Sequence, residues 1–128
     1  MKLQLVCLTG GSVGWDNNVL DNPEKFGLRL VGTMEYSDMN YCFDTRAVWE
    51  RLSDGTLYTA RDSGCSCPTP FGQTTELDRL FSVSELEEEF QTAVKYEYDF
   101  KPDALAFSKF RKEVLAVFKA LDSKPPSD

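Results

Sequence analysis

Polar and apolar residues alternate through residues 28–36, with Leu28, Leu30, Gly32, Met34 and Tyr36 on one face and Arg29, Val31, Thr33 and Glu35 on the other. A period of two marks a half-buried strand. Ser37-Asp38-Met39-Asn40 makes a turn, and residues 41–52, rich in aromatic and β-branched side chains, return as a second strand. Ser53-Asp54-Gly55-Thr56 carries the Asp-Gly signature of a tight hairpin, because glycine tolerates the positive φ such turns require. Residues 57–60 form the third strand. Residues 2–8 read as a short apolar strand, ended by Gly10-Gly11 and placed to edge the meander. Asn22-Pro23 marks a further turn, which Phe26 anchors by burying its ring.

Beyond residue 72 the period lengthens. Ser82 and Glu85 have capping-box spacing, and Phe81 is set to staple onto Leu86. Leu86, Phe90, Ala93 and Val94 then make the inward face of a helix. The run Tyr96-Glu97-Tyr98-Asp99-Phe100 breaks it, and Pro102 suits the first turn of a second helix. There Phe107, Phe110, Val114, Val117, Phe118 and Leu121 recur at helical spacing. The pattern predicts an α+β fold: a small antiparallel meander sheet of three to four strands, followed by two C-terminal helices packed on one face. Residues 1–121 form a single domain, and 122–128, with Pro125-Pro126, a disordered tail.

Length and charge narrow the picture. A chain of 128 residues buries about two-thirds of the surface it exposes when unfolded. No apolar run approaches the roughly 20 residues of a membrane span, and the apolar stretch 3–8 is too short for an export signal, so a cytoplasmic location is expected. A net charge of −7 disfavours non-specific attraction to nucleic acid or to anionic lipid. The acids concentrate in residues 76–100 (Glu85, Glu87, Glu88 and Glu89 among them), whereas Lys101, Lys109, Arg111, Lys112 and Lys119 reverse the sign in the next segment. Neighbouring segments of opposite sign invite mutual packing. The chain contains no histidine, which excludes Ser-His-Asp and Cys-His catalysis and every histidine-ligated metal site. The glycine cluster 10–14 lacks the Lys-Ser/Thr of a phosphate loop and reads as a flexible turn.

One stretch stands apart: Asp62-Ser63-Gly64-Cys65-Ser66-Cys67-Pro68-Thr69-Pro70-Phe71. Asp62-Ser63-Gly64 suits an Asx-type turn leaving the third strand, its carboxylate accepting backbone N–H groups. Pro68 and Pro70 stiffen the exit and lower the entropy cost of holding Phe71. Cys65 and Cys67, two apart, project to one side of an extended chain. With Cys7 and Cys42 they make up the four thiolates of a zinc shell, but neither Cys7 nor Cys42 has the close cysteine partner such sites use. The alternative places Cys7 and Cys42 in strands as small buried hydrophobes. A disulfide between Cys65 and Cys67 is opposed by the tight ring and a reducing compartment. Thiol catalysis has no histidine to act as base, and Arg61, the one cation close in sequence that could lower a thiol pKa, has Asp62 beside it. Glu87-Glu88-Glu89 reads as a solvated helix face, Trp49 as core, and Trp15, among glycine and asparagine, as an exposed anchor.

The run DSGCSCPTPF, with DNPEKFGL upstream and the hairpin between them, resembles a family of small uncharacterised proteins encoded by tailed phages of actinobacteria. The resemblance spans residues 21–72 and carries no activity or cofactor with it. It implies an accessory protein in the cytoplasm of an infected host cell. With no catalytic constellation in the sequence, the reading is a non-enzymatic binding module that engages a host protein. Its contact residues would be Trp15, Asp62, Ser63, Cys65, Cys67, Pro68, Pro70 and Phe71. The alternatives are a zinc-stabilised structural module on Cys7, Cys42, Cys65 and Cys67, and an acidic mimic of nucleic acid.

Overall fold

The structure, a computed structural model, describes residues 2–8, 18–37, 42–65, 71–72, 74–96 and 101–123. Among these residues, five antiparallel strands form one sheet in the order β1-β5-β4-β3-β2: β1 (Lys2–Gln4), β2 (Leu28–Glu35), β3 (Cys42–Arg51), β4 (Leu57–Cys65) and β5 (Glu76–Arg79). Two helices follow, α1 (Val83–Tyr96) and α2 (Ala104–Ser123). The α+β class and the order of sheet then helices are as the hydrophobic pattern predicts. The sheet has one strand more than expected, because β5 inserts between β4 and the edge strand β1. Only Leu77 and Leu80 break its polar run, too little for a visible alternation. No helix among the described residues is long and apolar enough to cross a membrane.

At the β3–β4 turn Gly55 adopts φ +76°. The Gly55 N–H donates to the Arg51 carbonyl at 2.7 Å and the Arg51 N–H to the Thr56 carbonyl at 2.8 Å. A side chain at that φ would be strained. From this turn β3 and β4 pair without slippage from Glu50↔Leu57 to Cys42↔Cys65. β4 therefore extends through Asp62-Ser63-Gly64, where the sequence suggested an Asx turn leaving the strand. The ladder supplies the backbone partners that such a turn would have supplied.

β2 departs from its apparent alternation. Its register against β3 shifts between Leu30 and Gly32, a bulge that adds one residue to the strand. Leu28 and Leu30 consequently pack with Trp49 on one face of the sheet. Met34 and Tyr36 pack with Val48 and the helices on the other. Gly32 lies under α2. A Cβ there would stand 2.7 Å from Glu113 Oε2 and 3.2 Å from Phe110 Cδ1, so the missing side chain lets the helix approach.

The helical face buries Leu86 and Ala93 of α1 with Phe107, Phe110, Val114 and Val117 of α2, and Phe90 stacks on Phe107 at 4.1 Å between ring centroids. Val94, expected inward, is 39% exposed. At the start of α1 the Ser82 N–H donates to Glu85 Oε2 at 3.1 Å, one half of the capping box. Phe81 makes no staple: it is 60% exposed with Arg79 over its ring. α2 is capped by Asp103, which accepts from the Leu105 N–H at 2.9 Å, with Pro102 just outside the helix. α2 runs through Ser123, past the expected boundary at 121, and residues 124–128 lie outside the described residues. The opposite face of the sheet carries a second core of Val19, Phe26, Leu28, Ala47, Trp49, Tyr58, Phe71 and Leu77. Phe26 closes a 3-10 turn, Pro23–Phe26, and is buried as its loop position predicts.

Candidate functional site

Two features meet at the far end of the β3–β4 hairpin. The first is the frame of the 62–71 segment. Asp62, in β4, accepts the Phe71 N–H at 2.8 Å through Oδ2. The carboxylate thus holds a backbone N–H, as expected, but nine residues on and not within a local turn. Phe71 is not displayed. It is 0% exposed, packed edge-on against Trp49 at 5.3 Å between ring centroids. The Trp49 Nε1–H donates to the Val19 carbonyl at 3.1 Å. Phe71 also holds φ +64°, a conformation costing a bulky residue about 1–2 kcal/mol and kept here by burial on all sides. The segment therefore has one end in a strand and the other in the core. Ser63 lies within β4, exposed. The backbone of Cys65 ends that strand, while Trp15, Cys67, Pro68 and Pro70 lie outside the described residues.

The second feature is a charged cluster that sequence reasoning missed. Arg46 and Arg61 occupy directly opposite positions on β3 and β4, an arrangement that repels unless acids intervene. Asp44 takes Arg61 in a forked pair, Nε to Oδ1 at 2.7 Å and Nη2 to Oδ2 at 2.6 Å. Glu89 of α1 takes Arg46 in a second fork, with Nε to Oε1 at 3.1 Å and Nη2 to Oε2, and lies 3.5 Å from Arg61 Nη1. The hydrogen bonds that Arg61 donates to Asp44 raise its pKa further above the ordinary value, so the charge is permanent. The guanidinium also sits over the Tyr36 ring at 4.6 Å. Beside this group Glu35 accepts from Ser37 Oγ at 2.5 Å, the Asp44 N–H at 2.7 Å and Thr45 Oγ1. The acids here are engaged by donors, so the cluster stitches α1 to the loop end of the sheet.

Glu87-Glu88-Glu89 is accordingly not a purely solvated face, since Glu87 also binds Arg111 Nε at 2.8 Å. That pair and the 2.6 Å bond from Lys101 Nζ to the Val94 carbonyl are contacts of the acidic segment with the basic one. Cys42 departs from its expected role as a buried hydrophobe. It is exposed and disulfide-bonded, and lies at the end of the hairpin opposite the turn. Cys7, half-buried beyond the end of β1, takes no part in a disulfide and packs against the second core. A sulfur in a disulfide is not a thiolate, so in this oxidised form Cys42 cannot join the four-thiolate shell. Among the described residues no group of three or more metal-binding side chains comes together.

Comparison with protein families matches residues 17–123 to a domain of unknown function, DUF7574. The chain belongs to that family. The match runs from before β2 to the end of α2, taking in both cores, the charged cluster and the 62–71 frame, and leaves out β1. No curated protein and no solved structure matches the chain.

Proposed function

We propose that the protein is a non-enzymatic binding module that engages a partner protein through the segment between Asp62 and Phe71. The observation that carries this reading is the double anchoring of that segment. Asp62 is fixed in β4 and bonded to the Phe71 N–H, and Phe71 is sunk against Trp49. A connection whose ends are held in a folded frame has less conformational freedom to lose on binding, and preorganisation of that kind raises affinity. Ser63, Cys65, Cys67, Pro68 and Pro70 then supply the contact chemistry, and Phe71 and Asp62 supply its support. The resemblance to actinobacterial phage proteins gives the setting: an accessory protein whose partner is a host protein in the cytoplasm of the infected cell.

Affinity capture from an actinobacterial host lysate tests this, using the wild type, a variant with residues 63–70 scrambled, and Asp62→Ala. The scrambled loop is expected to lose the captured partner. Asp62→Ala, which frees one anchor, is expected to weaken capture about tenfold, the equivalent of one charge-assisted hydrogen bond. Equal capture by all three proteins would sink the loop assignment.

A further inference from the structure

Cys42 is disulfide-bonded, and Cys7 takes no part in a disulfide. The hairpin register sets residue 65 directly opposite residue 42, and the turn decides what kind of pair this is. The Arg51 N–H donates to the Thr56 carbonyl, and hydrogen-bonded pairs recur at every second residue of an antiparallel ladder. Continuing through Trp49↔Tyr58, Ala47↔Ala60, Thr45↔Asp62 and Phe43↔Gly64 leaves Cys42↔Cys65 as a non-hydrogen-bonded pair. Cα atoms of such pairs approach to about 4.5 Å, within the range of about 4.4–6.8 Å that a disulfide spans. Hydrogen-bonded neighbours stand farther apart, so this is the favourable parity for a cross-strand bridge.

We propose that Cys42 and Cys65 form a cross-strand disulfide that latches the β3–β4 hairpin at the root of the binding segment, and that reduction by a dithiol loosens it. The consequence for binding rests on the proposed function above; the pairing does not. In the reduction, a thiolate of the dithiol attacks one sulfur and displaces the other cysteine as a thiol. The second thiol of the reductant then resolves the mixed disulfide, releasing the second cysteine. Two electrons pass to the S–S bond, the two reductant protons end on Cys42 and Cys65, and the reductant becomes a cyclic disulfide. Cys42 is exposed, which gives the reductant access. The latch closes the end of the hairpin opposite the Asp54-Gly55 turn, where an unlinked ladder frays most readily.

The test uses the full chain, oxidised with glutathione disulfide, alkylated at its free thiols and digested with trypsin without reduction. A linked pair of peptides, 30–46 and 62–79, is expected. Cys65 and Cys67 share the second peptide, so the variants decide: Cys67→Ser should keep the link and Cys65→Ser should lose it. A link that survives Cys65→Ser, or full alkylation of Cys42 in the wild type, overturns the pairing. So does stoichiometric zinc bound by the reduced protein and lost in Cys42→Ser, which would assign these thiols to a metal. The latch is read separately, by amide exchange of oxidised and dithiothreitol-reduced protein. Exchange at residues 42–44 and 63–65 should quicken about tenfold or more on reduction, with the centre of α2 unchanged. Identical exchange in the two forms removes the latch. None of these readouts needs a partner, so their failure is distinguishable from failure of the binding role.

Discussion

Both faces of the sheet carry a buried core, and the two cores are built differently. On one, Phe110 and Val114 arrive on a regular helix and cover Val48 and Leu57. On the other, Val19, Phe26 and Phe71 come from chain outside strands and α-helices, and close over Trp49 and Tyr58. Trp49, Phe71, Phe110 and Val114 are all among the most deeply buried side chains. Depth of burial thus does not require a regular element. It requires a side chain whose backbone is tied down by other means, here the Asp62 carboxylate on the Phe71 N–H and the Val19 carbonyl on the Trp49 indole. The helical cover is held along its length, whereas the irregular cover depends on a few such ties.

The largest effect that tests this contrast is Phe71→Ala. If the irregular cover is a true core, the substitution costs about 3–5 kcal/mol, as Phe110→Ala does on the helical face. Urea denaturation followed by far-ultraviolet circular dichroism measures both. A cost below about 1 kcal/mol for Phe71→Ala would show that the irregular face merely adheres to the sheet. A companion variant isolates the backbone: at φ +64° alanine keeps the left-handed penalty that glycine lacks, so Phe71→Gly should be at least as stable as Phe71→Ala.

The same contrast explains what could be read from the residues beforehand. Phe107, Phe110, Val114 and Val117 announce themselves by spacing, because a helix repeats and one face of it meets the core. Phe71 has no such signal. A buried aromatic anchor and a displayed contact look identical in a stretch of cysteines, prolines and serines, and the difference lies in a hydrogen bond made across nine residues. Leu28 and Leu30 alternate with Gly32 and Met34 in sequence, yet the bulge sends them to opposite faces, since a bulge changes pairing and leaves composition alone. The arginine cluster was within reach. Extending the register outward from the Asp54-Gly55 turn sets Arg46 against Arg61, and two facing cations demand acids between them. That the acid is Glu89, more than forty positions from Arg46, follows only from where α1 lands.

Where the helix meets the sheet most closely, a smaller effect sharpens the comparison. Gly32→Ala places a methyl against Phe110 and the end of Glu113. Overpacking of about 1–3 kcal/mol outweighs the gain of about 0.4–1 kcal/mol from a stiffer unfolded chain, so a net loss of about 1–2 kcal/mol is expected. The Glu113 carboxylate can swing away and the Phe110 ring cannot. In a Glu113→Ala background the cost should therefore shrink without vanishing, a coupling of about 0.5 kcal/mol in a double-mutant cycle. Complete rescue would mean that α2 is free to lift off β2, and that the helical cover is held no more tightly than the irregular one.

The smallest effect falls where α1 and the hairpin end join. The Tyr36 hydroxyl is buried and makes no hydrogen bond among the described residues. Burial first, and then the neighbouring Glu89 charge, hold its pKa well above the ordinary phenol value. Tyr36→Phe keeps the ring beneath Arg61 and removes a polar atom that lost its water without gaining a partner. At neutral pH stability should be unchanged or higher, by no more than about 1 kcal/mol. The pH dependence has a definite sign. A raised phenol pKa in the fold means that the unfolded chain loses its proton first, so the wild type keeps its full stability below about pH 10 and loses it as the pH climbs past that value. The phenylalanine variant lacks that proton, so its stability relative to the wild type should rise above about pH 10 in urea titrations at stepped pH. A loss of more than about 1.5 kcal/mol at neutral pH would instead mean that the hydroxyl is bonded to Glu89, and that the charged cluster reaches one residue deeper into the helical core.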